Sequence, residues 1–174
     1  MRAVVVYESM YGNTRVIAEA IGEGLRPDYD VKVVPVTQVG AEILEGTALL
    51  VVGGPTHVHR MTRPRSREAA AEAARRPGSP LSLEDGATRP GVREWLASLG
   101  HLNVMAPAFD TRLNGPAVFT GRASKGITRE LFRRRAHLVG EPESFVVTKE
   151  NSLESGEEGR VRRWGEYLAA EASQ

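Results

Sequence analysis

The sequence predicts an α/β fold: a doubly wound, three-layer sandwich built on a five-stranded parallel sheet. Three observations carry that expectation. Short aliphatic runs such as Ala3-Val4-Val5-Val6-Tyr7 show no polar alternation, the pattern of strands covered on both faces. They alternate with segments whose apolar residues recur at helical spacing, which points to right-handed βαβ units. No internal repeat and no second composition regime interrupts the series, so residues 1–174 read as one domain with a basic insert at about 60–90.

The first strand is expected over Arg2 to Tyr7, ending at Glu8. From Thr14 to Leu25, Val16, Ile17, Ala20, Ile21 and Leu25 keep helical spacing, with Glu19 and Glu23 on the opposite side. A second strand, Val31 to Val36, follows the breakers Pro27 and Asp28, and a third, Ala48 to Val52, ends in Gly53-Gly54-Pro55. Between Thr62 and Arg76 the chain turns rich in Ala, Arg and Glu and predicts a surface helix with Thr62 at its N-cap. Six arginines lie between Arg60 and Arg76, and together with Arg133 to Arg135 they read as solvated faces. The stretch from Pro77 to Pro90 is loop by its breakers. A short helix with Val92, Trp95, Leu96 and Leu99 closes at Gly100, and a fourth strand starts at Leu102 or Val104 and ends at Phe109. A helix from about Ser124 to Val139 turns Ile127, Leu131 and Leu138 inward and stops at Gly140. The fifth strand is Ser144 to Thr148, and the last helix begins near Glu157, burying Val161, Trp164 and Leu168.

Composition removes several kinds of chemistry. With no cysteine there is no disulfide framework, thiolate nucleophile or Cys-ligated metal centre. The 23 Lys and Arg against 22 Asp and Glu give a net charge of +1, so no overall field marks nucleic acid or membrane as a partner. The apolar run at the N-terminus is too short for a signal core or a membrane span, and a cytoplasmic location is expected. His57 and His59 have no nearby carboxylate or third ligand to complete a metal set, so no metal is expected. No Gly-x-Ser-x-Gly elbow is present either, and no side chain stands out as catalytic.

The positive signal lies after the first strand. An open parallel sheet binds ligands at the carboxyl ends of its strands, where helix N-termini present unpaired N–H groups. There the chain reads Ser9-Met10-Tyr11-Gly12-Asn13-Thr14. Gly12 permits a positive φ, the amides of Met10 to Thr14 can converge on an anion, and the hydroxyls of Ser9 and Thr14 can donate as well. The alternative is an ordinary strand-to-helix turn capped by Asn13 or Thr14. A nucleotide P-loop would require Gly-Lys-Ser/Thr, and a dinucleotide fingerprint Gly-x-Gly-x-x-Gly; neither occurs here.

These residues carry a family resemblance. Val-Val-Tyr-Glu-Ser-Met-Tyr-Gly-Asn-Thr resembles the FMN phosphate loop of flavodoxins, and Ser-Met-Tyr-Gly also resembles the flavodoxin-like quinone reductases. Gly54-Pro55-Thr56 is similar to the loop by which those reductases meet the flavin ring. The resemblance implies the sheet order 2-1-3-4-5, the known order of that family. It implies FMN as cofactor, with phosphate contacts from Ser9, Met10, Tyr11, Gly12, Asn13 and Thr14. Pro55, Thr56, His57, Val58 and His59 would lie against the ring, and Asp110, Thr111 and Arg112, read as a loop after strand four, would approach its pyrimidine edge. The same three residues also fit a strand-end salt bridge and turn. The sequence departs from the family pattern in offering His57, Val58 and His59 where an aromatic residue usually stacks on the ring, and no aromatic follows Phe109 in the third loop. The implied activity is electron transfer or a small flavin oxidoreductase, with a redox protein or a quinone-like molecule as partner; the alternative is a flavin-free binding or regulatory module.

Overall fold

The structure, a computed structural model, describes residues 1–57 and 59–172. In chain order its elements are β1 (Arg2–Tyr7), α1 (Asn13–Leu25), β2 (Asp30–Pro35), α2 (Ala41–Leu44), β3 (Thr47–His57), β4 (Arg60–Met61) and α3 (Pro64–Arg75). The second half adds α4 (Val92–Ser98), β5 (Ala108–Leu113), α5 (Ala117–Thr120), α6 (Ala123–Arg133), β6 (Glu143–Val147) and α7 (Glu157–Glu171). Five strands pair in parallel in the order β2-β1-β3-β5-β6, and the two-residue β4 folds back antiparallel on the tail of β3. With β4 set aside, the order is the expected 2-1-3-4-5. The chain leaves β1 toward one edge and returns to its other side at β3. That reversal opens a crevice beyond the carboxyl ends of these two strands.

The lack of polar alternation in the central strands has a direct structural cause. Ala3, Val5 and Tyr7 of β1, with Leu49 and Val51 of β3, enter one core against α1 and α7. Val4, Val6, Leu50 and Val52 enter a second core with Leu96 of α4 and Ile127 and Leu131 of α6. Two-residue periodicity thus feeds both faces, which makes three layers. On the first face α1 and α7 approach closely through glycines: a Cβ on Gly24 would lie 2.5 Å from the Arg162 carbonyl oxygen, and one on Gly165 would lie 2.7 Å from that of Ile21. Beneath α7, Phe109, Phe145 and Trp164 form three edge-to-face pairs with centroids 5.8–6.3 Å apart, a favoured aromatic geometry.

Several boundaries differ from the sequence reading. β3 continues through Gly53-Gly54-Pro55 to His57, because β5 supplies pairing partners for Gly53, Gly54 and Pro55 that override their breaker character. β5 itself occupies Ala108–Leu113; the apolar stretch before it packs on the second core through Leu102, Val104 and Ala106 without forming a strand. Helix α6 stops at Arg133, two residues before Arg135 takes a φ of +62°, and Leu138 is exposed rather than inward. The helix of the insert begins at Pro64 with Arg63 as N-cap, while Thr62 is buried against the sheet. No described helix is long and apolar enough to cross a membrane.

Candidate functional site

The turn after β1 is shaped by Gly12, which caps α1 with a φ of +99°. Its N–H donates to the Ser9 hydroxyl at 3.1 Å, and its carbonyl accepts from Val16 N–H, the first bond of the helix. Among the described residues, the N–H groups of Met10, Tyr11, Asn13 and Thr14 have no protein acceptor, as expected at a helix start. Distant segments hold the turn in this shape. The Asn13 amide donates to the Asn151 carbonyl at 3.2 Å and to its side-chain oxygen at 2.7 Å, and Asn151 returns a bond to the Tyr11 carbonyl. The Tyr11 hydroxyl donates to the Ala70 carbonyl of α3 at 2.9 Å, and Glu84 N–H donates to the Met10 carbonyl at 2.9 Å. Thr14 and Thr111 share a hydrogen bond between their hydroxyls at 2.8 Å.

This turn opens on a cavity of about 340 Å³. Nine of the residues expected from sequence line it: Met10, Tyr11, Asn13, Thr14, Pro55, Thr56, His57, Thr111 and Arg112. Gly12 supports the turn from behind, and Ser9 faces a neighbouring cavity of about 280 Å³ shared with Glu8 and Thr37. His59 does not reach the main cavity; with a φ of +70° its backbone lies against Gly121. Val58 lies outside the described residues. Asp110, Thr111 and Arg112 belong to β5 and not to a loop; alternation puts Asp110 and Arg112 on the face opposite Thr111, and of these two only Arg112, nearer the strand's carboxyl end, reaches the cavity. Asp110 is fully buried, accepts the Ser124 N–H at the start of α6 at 2.7 Å, and does not line the cavity. Burial raises its pKa above the usual carboxylate value, against the bond from Ser124.

Sequence reasoning missed several lining residues: Leu81 from the insert, Leu113 and Val147 at the ends of β5 and β6, and Thr148, Lys149 and Asn151 from the segment after β6. The turn-forming pair Glu150-Asn151 carried a weak local signal; nothing local placed Leu81. The cavity lining contains Arg112 and Lys149 and no Asp or Glu. One Arg112 nitrogen donates to the Gly115 carbonyl at 2.7 Å and to the Thr120 hydroxyl at 3.2 Å, while its Nε is buried without an acceptor. Burial lowers the pKa of His57, which keeps this imidazole neutral at pH 7. No group of His, Cys, Asp or Glu suited to a metal ion occurs among the described residues.

Behind the turn, a buried polar network ties the insert to the sheet. Glu8 accepts the Thr62 hydroxyl on one oxygen and the Val92 N–H on the other, the latter at 2.8 Å. Arg67 donates to the Thr62 hydroxyl at 2.9 Å and pairs with Glu94 at 3.1 Å, and Glu94 caps α4 through Gly91 N–H. Arg67 is only 2% exposed, so this arginine of the insert is a core residue, not part of a solvated face. Burial raises the Glu8 pKa, outweighing the hydrogen bonds and the nearby guanidinium.

Residues 5–76, which hold the turn, β3 and all of α3, match the flavodoxin family model. The chain has the flavodoxin-like fold. Solved structures of the same fold extend the likeness over the whole chain. A flavodoxin from the domain Archaea superposes with a TM-score of 0.67 at 19% identity, covering 100% of both chains. A flavodoxin from Streptococcus pneumonia TIGR4 gives 0.64 at 24% identity over 98% of this chain and 99% of its own. A flavodoxin, WrbA-like protein from Agrobacterium tumefaciens gives 0.56 at 17% identity over 99% and 98%. At these identities the structures bear on fold alone. No curated protein sequence matches the chain. The donor set of the turn suits a phosphate monoester: unpaired amides at a helix start, two hydroxyls nearby and no carboxylate in the lining.

Proposed function

We propose that the protein binds FMN non-covalently and works in electron transfer, either as a carrier or as a small oxidoreductase on a quinone-like acceptor. The observation that carries this reading is the set of acceptor-free N–H groups of Met10, Tyr11, Asn13 and Thr14, residues that line a cavity of about 340 Å³. Bound FMN supplies the redox chemistry itself, by taking up and releasing electrons. The chain supplies the rest. The turn holds the phosphate; Pro55, Thr56 and His57 from the tail of β3, and Thr111 and Arg112 from β5, wall the ring's space. Leu81 and Val147 close it with aliphatic surface. No aromatic platform is needed if phosphate bonds supply most of the affinity, since an aromatic pair adds only about 0.5–1.5 kcal/mol beyond the area it buries. No side chain acts as a required acid or base. A cytoplasmic site of action, with neither nucleic acid nor membrane as partner, belongs to the same reading.

Titration of the purified protein with FMN, followed by flavin absorbance and fluorescence, tests it. Saturable changes in both support the proposal, and unchanged spectra at saturating FMN overturn it. The second reading, a flavin-free binding module, is favoured by the lack of a ring-stacking side chain at His57 and His59; unchanged spectra are its expected outcome.

A further inference from the structure

Residues 46–67 and 111–129 contain no Asp or Glu, and the fold lays these stretches side by side. His59 lies against Gly121, the Thr56 hydroxyl accepts the Ala123 N–H at 2.8 Å, and Gly126 of α6 packs on Met61 of β4. Where they meet, the surface is cationic. Arg60 and Arg63 are exposed on one stretch; Lys125 and Arg129 are exposed and Arg122 half-buried on the other, sharing the side of α6 opposite its buried Ile127 and Leu131. None of these cations forms an ion pair among the described residues. Glu94 and Glu130, the carboxylates that act on neighbouring Arg93, already pair with Arg67 and Arg133. An apolar crest adjoins this surface. No residue of α5 is buried, and Val118 and Phe119 are 79% and 73% exposed. Hydrogen bonds hold the segment instead, from Arg112 to the Gly115 carbonyl at 2.7 Å and to the Thr120 hydroxyl at 3.2 Å. The segment starts at Leu113, which lines the main cavity, and on the β6 side it is bordered by Glu154, which accepts from Asn114 at 3.1 Å.

We propose that β4, α5 and the outer side of α6 form a docking surface for an acidic protein, whose carboxylates meet the unpaired cations while its apolar surface covers Val118 and Phe119. Charge complementarity names the occupant. Cations without countercharge speed encounter with an acidic partner and repel a basic one, and the crest adds surface that gains by leaving water. A second copy of this chain would bring the same cations to a two-fold contact, so like charge opposes it. A nucleic acid would engage the cations and leave Val118 without an apolar counterpart. A bilayer is a poor host for so small a crest, since even a whole acyl chain gives only marginal attachment. Leu113 links the surface to the cavity, so the partner sits beside the cavity mouth. That the partner is an electron-transfer protein rests on the FMN reading above; the docking itself does not.

The test uses an acidic iron–sulfur ferredoxin as probe and basic cytochrome c as its opposite, each titrated at low salt against the labelled protein by microscale thermophoresis, before and after FMN titration. Ferredoxin should bind and cytochrome c should not, and the ferredoxin dissociation constant should rise with salt as exposed charges are screened. Lys125→Glu/Arg129→Glu should weaken ferredoxin by about tenfold, because exposed attractions are replaced by repulsions. Phe119→Ser should weaken it several-fold. Arg26→Glu/Arg163→Glu, an equal change of net charge on the α1 and α7 layer, should leave it unchanged. Every one of these positions is exposed, so the variants should fold, and circular dichroism checks that they do. No binding of ferredoxin, equal binding of cytochrome c, or equal losses from the two double reversals overturns the inference. Tighter binding of duplex DNA or of phosphatidylglycerol vesicles, lost on the same substitutions, overturns it as well. Ferredoxin binding without FMN uptake keeps the docking surface and removes the redox reading; FMN uptake without ferredoxin binding does the reverse.

Discussion

Single residues set the terms on which the turn can hold an anion. Thr14 is buried beside the acceptor-free amides, and its hydroxyl already pairs with Thr111. Thr14→Ala should weaken FMN by about 5–30-fold, equivalent to about 1–2 kcal/mol for a hydrogen bond to a charged group, while riboflavin, which lacks the phosphate, should be little affected. Parallel fluorescence titrations with both ligands measure this; equal losses would rule out a phosphate contact. Gly12 has room for a methyl group, the nearest atom to an added Cβ being a Glu84 oxygen at 3.6 Å, yet its φ of +99° disfavours any L side chain. Gly12→Ala should therefore cost about 1–2 kcal/mol by urea denaturation, from backbone conformation rather than a clash. Glu8 adds a dependence on pH. With its pKa raised in the folded state, the native protein holds a proton where the unfolded carboxylate has lost its own. Stability from this group is present in acid and declines as pH rises from the ordinary carboxylate value through the raised one. Glu8→Gln should flatten that decline and, because its amide offers one acceptor oxygen where Glu8 serves both the Thr62 hydroxyl and the Val92 N–H, lower overall stability by about 1–3 kcal/mol; urea midpoints across a pH series report both effects.

At the scale of elements, the insert decides how well the turn is supported. Its helix α3 accepts the Tyr11 hydroxyl, its loop bonds the Met10 carbonyl through Glu84, and Arg67 anchors it beneath. Arg67→Ala would leave Glu8 and Glu94 without their guanidinium in a dehydrated setting. It should destabilise the protein by about 3–5 kcal/mol, the usual scale for breaking a buried pair, and expose the 60–90 segment to limited proteolysis before the sheet is lost. These roles were the least legible part of the sequence. A run rich in Ala and Arg announces a helix, but whether one particular arginine faces water or Glu94 depends on a partner that no local pattern reveals. The same limit explains β5. Apolar residues from Leu102 onward predict burial correctly, and periodicity over so few residues does not distinguish a buried strand from a buried connecting segment. By contrast, β1, α1 and α7 were readable almost to the residue, because their apolar pattern and their terminating signals agree. The turn after β1 was equally legible as a loop opening a helix, through its distinctive composition, whereas Leu81 and Lys149 reach the cavity only through tertiary packing.

For the whole molecule, a ligand that binds only the native state raises stability by mass action. FMN at about 100 times its dissociation constant should contribute about 2.7 kcal/mol, which for a chain of this length corresponds to a rise in Tm of about 5–10 °C. Differential scanning fluorimetry or circular dichroism can measure it, with riboflavin as the phosphate-free control. The reach of the Asn13–Asn151 clasp has a consequence for how such a complex is made. The two partners are 138 positions apart, so the first strand and its turn leave the ribosome long before the residue that locks them. Until the segment after β6 has emerged, the nascent chain has the amides but not the clasp that orders them. Under the proposed function, loading waits until Asn151 has been translated, and a polypeptide stalled short of Asn151 should emerge colourless however much flavin surrounds it.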